Sequence, residues 1–164
     1  MKKSLFIHGP LSSPNPEEET FFINVKNILD NISDIEIISN IPEHISYDKK
    51  ERPLFLSKEI VQKIESDHGK ICPENLIFTA HRWEYIITDI DKKPDRINLI
   101  KQIPNSDNYL IIAANRDNGF YIVTHFETES KNGNNLKRLL KRGNVISRVS
   151  SVACTTVQDS EESN

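Results

Sequence analysis

The sequence predicts an α+β fold in which N-terminal helices pack on a mainly antiparallel sheet, with a short accessory layer ahead of them. Two stretches with apolar residues at helical spacing, 57–68 and 73–92, precede the strand region. Three apolar, β-branched runs then follow, at 96–102, 109–115 and 120–127. The last two are joined by Arg116-Asp117-Asn118-Gly119, where Asn and Gly tolerate the positive φ of a tight hairpin. Helices first and hairpin-linked strands afterwards is the order of an α+β domain.

Taken in order, residues 4–8 form a short apolar run ended by Gly9-Pro10, and 12–20 a polar, acidic, proline-containing loop. Phe22, Val25 and Leu29 give a helix over 21–29, and 35–41 reads as a strand. These elements belong to an accessory segment, 1–49, ahead of a main domain, 50–149. The main domain opens on a clearer helix. Ser57 is its N-cap, Glu59 suits the positive end of the helix dipole, and Gly69 suits the C-terminal stop. Leu56, Ile60, Ile64 and His68 recur every fourth residue, so His68 continues the buried stripe into the last turn. A second helix starts at Pro73-Glu74, where proline's missing amide hydrogen costs nothing. Its apolar face runs through Leu76, Ile77, Ala80, Trp83, Ile87 and Ile90 until Lys92-Lys93-Pro94 ends it. After the strands, 134–142 forms a basic helix with Leu136, Leu139 and Leu140 inward and Gly143 as its stop. A last strand is expected at 145–149 and a disordered polar tail at 150–164. The chain contains no internal repeat.

A chain of 164 residues is long enough to bury one core. Its formal charge of -3 is unevenly spread: residues 1–49 carry -4, 149–164 carry -3, and 50–148 carry +4. A basic middle between acidic ends is compatible with a polyanionic ligand; the alternative is a solvated surface with ordinary local bias. Cys72 and Cys154 have neither metal-ligand spacing nor a disulfide framework, so a reducing, cytoplasmic setting is expected. The apolar run before Gly9-Pro10 is too short for a signal peptide, and nothing approaches the roughly 20 apolar residues of a membrane span. The sequence carries no HExxH, no phosphate-binding P-loop and no GxSxG elbow; His8 in FIHGPL is only a weak hint of a hydrolase-like loop.

Four features stand together: LSKEIVQKIESDH; the KPDRI that opens the strand region; the paired NYLIIAANR and FYIVTHFETES; and the closing NNLKRLLKRG. Through them residues 56–148 resemble the phage-associated branch of the barnase, EndoU, colicin and RelE-like nuclease superfamily. The accessory segment has no counterpart in it. The resemblance implies a barnase/RelE-like fold and a metal-independent endoribonuclease that needs no cofactor. In such enzymes the ribose 2′-hydroxyl attacks the adjacent phosphorus, leaving a 2′,3′-cyclic phosphate and a free 5′-hydroxyl. It further implies a toxin or phage effector with RNA as substrate and an immunity or antitoxin protein as partner. The competing reading is a non-catalytic RNA- or protein-binding module on the same scaffold, and a third is a small nucleotide-modifying enzyme.

That reaction needs an acid and a base near neutral pKa and cations around the phosphorane, and histidine suits the first two roles. His68 is the first candidate, because a helix C-terminus favours the imidazolium; the alternative is a histidine capping its own helix's carbonyls. His125 is the second, on a strand face with Tyr121 and Val123, while alternation puts Thr124 on the other face. The resemblance favours Thr124, since related nucleases often carry a hydroxyl on this strand that touches the scissile phosphate; chemistry favours His125. Arg116, Arg82 beside His81, Arg138 and Arg142 are candidates to neutralise the transition state, with Lys137, Lys141, Lys70 and Arg148 as peripheral phosphate contacts. Each is otherwise a surface cation. Glu127 is the one obvious strand glutamate for a base. Trp83, Tyr85 and Tyr121 are either base-stacking residues or core. The enzyme reading expects His68, Thr124 or His125, and at least two arginines in one cleft; a His68 sealed by packing favours the binding module.

Overall fold

The Ser57 hydroxyl accepts a hydrogen bond from the Ile60 amide at 3.3 Å, and at this cap the chain passes from strand β2 (Glu51–Ser57) into helix α2 (Lys58–His68). Gly69, at φ 94°, closes the helix as expected. The structure is a computed structural model describing residues 10–31, 35–42, 51–128 and 134–148. The expected run at 4–8 and the polar tail lie outside the described residues. Ahead of β2 stand helix α1 (Glu19–Asp30) and strand β1 (Ile35–Pro42). After α2 come α3 (Pro73–Arg82), β3 (Tyr85–Thr88), a 3-10 turn (Ile90–Lys92), β4 (Arg96–Gln102), β5 (Tyr109–Arg116), β6 (Phe120–Thr128), α4 (Asn134–Leu140) and β7 (Asn144–Ser147). The fold class is α+β. None of these helices is long and apolar enough to cross a membrane.

The seven strands form one mixed sheet in the order β1-β2-β6-β5-β4-β3-β7. Among the described strands only the β2–β6 pair is parallel, and it is short: Leu54 faces Phe120 and Phe55 faces Tyr121. Beyond Ser57 the chain leaves the sheet, and α2 packs against β6 instead. The β5–β6 hairpin turns as its residues require, with φ 55° at Asn118 and 150° at Gly119.

Helices α1, α2 and α3 cover one face of the sheet, here the front. Val25, Ile28, Ile64, Leu76 and Ile77 from the helices pack there on Leu54, Leu56, Leu99, Ile112 and Phe120. Each buried Leu or Ile contributes roughly 1.5–3 kcal/mol. The back face carries a smaller cluster of Ile87, Ile100, Tyr109 and Ile111, packed by Phe126 and by Leu136, Leu139 and Leu140 of α4.

Four expectations change. The described residues of the 1–49 accessory segment join the main core: Val25, Ile28, Ile38 and Ile41 lie in the front core and β1 extends the sheet itself. The second helix stops at Arg82, and Tyr85–Thr88 are strand; Ile86 and Ile87 point to opposite faces into the two clusters, a use that helical spacing could not distinguish. On α2 the buried residues are Val61 and Ile64, because Leu56 belongs to β2 and the stripe rotates by one position. The fourth change is a register shift on β6. Ala113 pairs with Thr124 but Ala114 with Ile122, so Val123 is an extra residue, a β-bulge.

Candidate functional site

The bulge decides where the strand's chemistry points. Without it His125 shares a face with Tyr121 and Val123; with it, His125 joins Phe120 and Ile122 on the front, while Tyr121, Thr124 and Phe126 share the back. His125 sits opposite Ile112 in a row continued by Leu99, Ile86 and Ile146, and is fully buried. Its Nε2 lies 3.3 Å from the Thr79 hydroxyl, which itself donates to the Asn75 carbonyl at 2.9 Å. The hydroxyl oxygen therefore accepts, and His125 is the Nε2–H tautomer. Burial, and secondarily the charge of nearby His68, push its pKa down to about 3. A neutral, sealed imidazole cannot reach a substrate, so the expectation of His125 as an acid or base is corrected.

Thr124 and His68 have a different setting. Thr124 is partly exposed on the back face opposite Ala113, whose own neighbour across β4 is Asn98. The adjacent row runs Tyr121, Asn115, Arg96, and the Arg96 Nε donates to the Asn115 side chain at 2.8 Å. In Thr124's row Asn98 and Ala113 are buried, whereas in the adjacent row Asn115 is exposed and Arg96 and Tyr121 are partly exposed. His68 is partly buried in the last turn of α2, its ring stacked on Phe126 at 5.7 Å and 26°. Phe126 shares its cluster with the apolar side of α4. The first clear helix and the hydroxyl strand therefore meet at one aromatic ring, and the basic helix packs on the same cluster, although most of the predicted arginines lie elsewhere.

Arg82 is held by Glu18 at 2.8 Å, by the Ser13 carbonyl at 3.2 Å and by the Ser12 hydroxyl. Glu18 is only 3% exposed and exchanges reciprocal capping bonds with Asn15, so Arg82 clamps the start of α1 onto α3. His81 donates from Nε2 to the Ile38 carbonyl at 2.7 Å, an accessory-strand contact of the same kind. Arg116 ends β5 on the front face with its guanidinium 5.7 Å from the Phe120 ring. Arg142 pairs with Asp91, whose carboxyl it holds below the ordinary range; that pair steadies a turn with φ of 53° at Asp89 and Asp91. Arg148 stacks 3.8 Å over Trp83 and donates to the His81 carbonyl at 3.1 Å. Each of these four expected phosphate ligands contacts an aromatic ring, carboxylate or carbonyl of the chain itself, the Arg142–Asp91 pair at the exposed surface. Lys137, Arg138 and Lys141 are exposed on and just after α4, and Lys70 is exposed after α2.

Glu127 faces the front opposite Leu110 and accepts from the Asn108 side chain at 2.6 Å, away from Thr124. An open groove of about 550 Å³ lies at the β4–β5 loop, lined by Glu84, Lys101, Gln102 and residues 103–107; none of the predicted catalytic residues lines it. Arg96, Asn98, Asn115 and Phe55 were not singled out by sequence reasoning. The available signal was alternation: Arg96, Asn98 and Ile100 share a face, and of these Arg96 stays partly exposed while Asn98 is buried. No group of three or more His, Cys, Asp or Glu that could hold a metal ion occurs among the described residues. Comparison with protein-family models, curated proteins and solved structures finds no match to this chain.

Proposed function

We propose that the protein is a metal-independent endoribonuclease of barnase/RelE-like architecture working on the back face of its sheet, as a cytoplasmic toxin or phage effector. The observation that carries this reading is the partly buried His68 stacked on Phe126, on the strand whose Thr124 opens to the uncovered side. Its imidazole stands at a helix C-terminus, where the dipole favours the protonated form. His68 serves as the acid–base group for 2′-hydroxyl attack or for protonating the leaving 5′ oxygen. Thr124 holds a phosphate oxygen. Arg96, with the amide of Asn115, and the cations Lys137, Arg138 and Lys141 supply hydrogen bonds and positive charge around the phosphorane. His125, Arg82 and Arg116 have no part in this assignment. An antitoxin or immunity protein would act by covering the back face.

A specific observation favours the second reading, an RNA-binding module without cleavage: Arg82, Arg116, Arg142 and Arg148 are all engaged within the fold. The test is total RNA incubated with the purified protein in chelator, comparing wild type with His68→Ala and Thr124→Val. Fragments ending in 2′,3′-cyclic phosphate from the wild type, lost in His68→Ala and reduced in Thr124→Val, support the enzyme. Intact RNA at high wild-type concentration, with RNA still retained on the protein, replaces it by the binding module.

A further inference from the structure

The assignment of RNA to the back face leaves unexplained a surface at its far side, built partly by the segment that has no counterpart in the nuclease resemblance. Directly opposed residues of neighbouring strands point the same way, and the register places Ile37, Phe55, Tyr121, Asn115 and Arg96 in one row across five strands. Resting on the RNA reading, we propose that this row is a nucleobase-stacking platform that binds single-stranded RNA beside the cleavage position.

The two central rings of the row are not core residues. The buried members of β2 and β6 next to them are Leu54, Leu56, Phe120 and Ile122, all facing the front, whereas Phe55 and Tyr121 stay partly exposed on the back. They stack on each other at 4.6 Å and 18°. Phe55 is set in place by Gly119, where a Cβ would stand 2.8 Å from its ring, so the hairpin glycine makes room for the aromatic as well as for the turn. Beyond the rings the edge strand exposes Ile35 (49%) and Ile37 (42%). Toward the other end, the row changes to the Asn115 amide and the Arg96 guanidinium, joined at 2.8 Å.

An apolar protein partner would find only the first half of this row complementary. A nucleotide offers in sequence what the whole row accepts: a base that lengthens the Phe55–Tyr121 stack, base-edge donors and acceptors for the Asn115 amide, and a phosphate for the guanidinium. Five strands span about 19 Å at the usual strand spacing, and four-stranded RNA-binding sheets stack two or three bases. Thr124 lies on the same face three residues along β6, within roughly 10 Å of Tyr121 at the ordinary rise. A duplex keeps its base faces hidden, so the platform selects single strands.

The experiment uses the full chain carrying His68→Ala, so that RNA persists, and a short oligoadenylate with one internal 2-aminopurine. Binding is read by anisotropy and stacking by fluorescence quenching, with the same strand in a duplex as comparison. Quenching on binding, weaker binding of the duplex, an affinity about tenfold lower in Tyr121→Leu and a several-fold loss in Ile37→Glu support the platform. Ile37 is exposed, so its variant keeps the test informative where Tyr121→Leu fails to fold. Unchanged affinity and quenching in correctly folded Tyr121→Leu or Ile37→Glu, or equal affinity for the duplex, overturns it. Cleavage of a dinucleotide by the wild-type chain separates the two ideas. Dinucleotide cleavage without oligoadenylate stacking removes the platform and leaves the enzyme; stacking without cleavage removes the enzyme and leaves the platform.

Discussion

The front and back faces of one sheet use the same strands in opposite ways. On the front, three helices cover the rows, and His125 among them is fully buried and neutral. On the back, α4 covers the rows near β3, β4 and the start of β5, while Thr124, Tyr121, Asn115 and Arg96 stay wholly or partly open to solvent. The adjacent residues Thr124 and His125 sit on either side of that division. Chemical type alone ranks histidine above threonine as a catalytic group; exposure reverses the order.

The sharpest way to break this comparison is functional. His68→Ala is expected to lower metal-independent RNA cleavage by about 100- to 10,000-fold, measured as initial rates in chelator, whereas His125→Asn keeps cleavage within a few-fold wherever it remains folded. Equal losses in the two variants would erase the distinction between the faces. The next effect is on stability: His125→Ala leaves a cavity in the row of Ile112 and Leu99 and costs roughly 2–4 kcal/mol by urea unfolding.

The same residue gives a pH dependence of definite sign. Its folded pKa of about 3 lies below the unfolded value of 6.5, so the unfolded chain takes up a proton that the folded chain refuses. This stabilisation is complete above about pH 6.5 and is lost as pH falls toward 3, by up to about 1.4 kcal/mol per pH unit. The slope should shrink in His125→Asn, and an unchanged slope would show that the ring titrates normally in the fold.

A smaller effect tests the support of the back face. Gly119→Ala strains a residue at φ 150° and presses its Cβ to within 2.8 Å of Phe55. It should cost about 1–3 kcal/mol and perturb Phe55 and Tyr121 ring resonances ahead of those at Phe126. The smallest effect belongs to Arg142→Ala, which breaks an exposed pair. The Asp91 carboxyl should rise toward its ordinary range by NMR titration, with RNA binding little changed.

Local signals were legible where local physics decides. Ser57 as a cap, Gly69 as a stop, the Asn118-Gly119 turn and the three central strands follow from backbone preference and period, and each is present. Residues 85–88 were read as helix because Ile87 and Ile90 fit a helical stripe, yet these residues are buried through both faces of a strand, which periodicity cannot separate from a buried helix. Strand β2 and its parallel pairing with β6 were missed for another reason: parallel pairing joins segments far apart in sequence and leaves no turn to mark it. The candidate site divided in the same way. His68 and Thr124 could be named from the chain, but the roles of the arginines could not, since Glu18, Asp91, Trp83 and Phe120 reach them only through the fold.

The sequence by itself determined an α+β chain with a capped helix ending in histidine, a hairpin of apolar strands and a basic helix after them, because capping, turn geometry and side-chain period act over a few residues. Tertiary structure alone decided which of Thr124 and His125 meets solvent. One inserted residue at Val123 flips every side chain beyond it, and its place is fixed by pairing with Ala113 and Ala114 on another strand rather than by anything within β6.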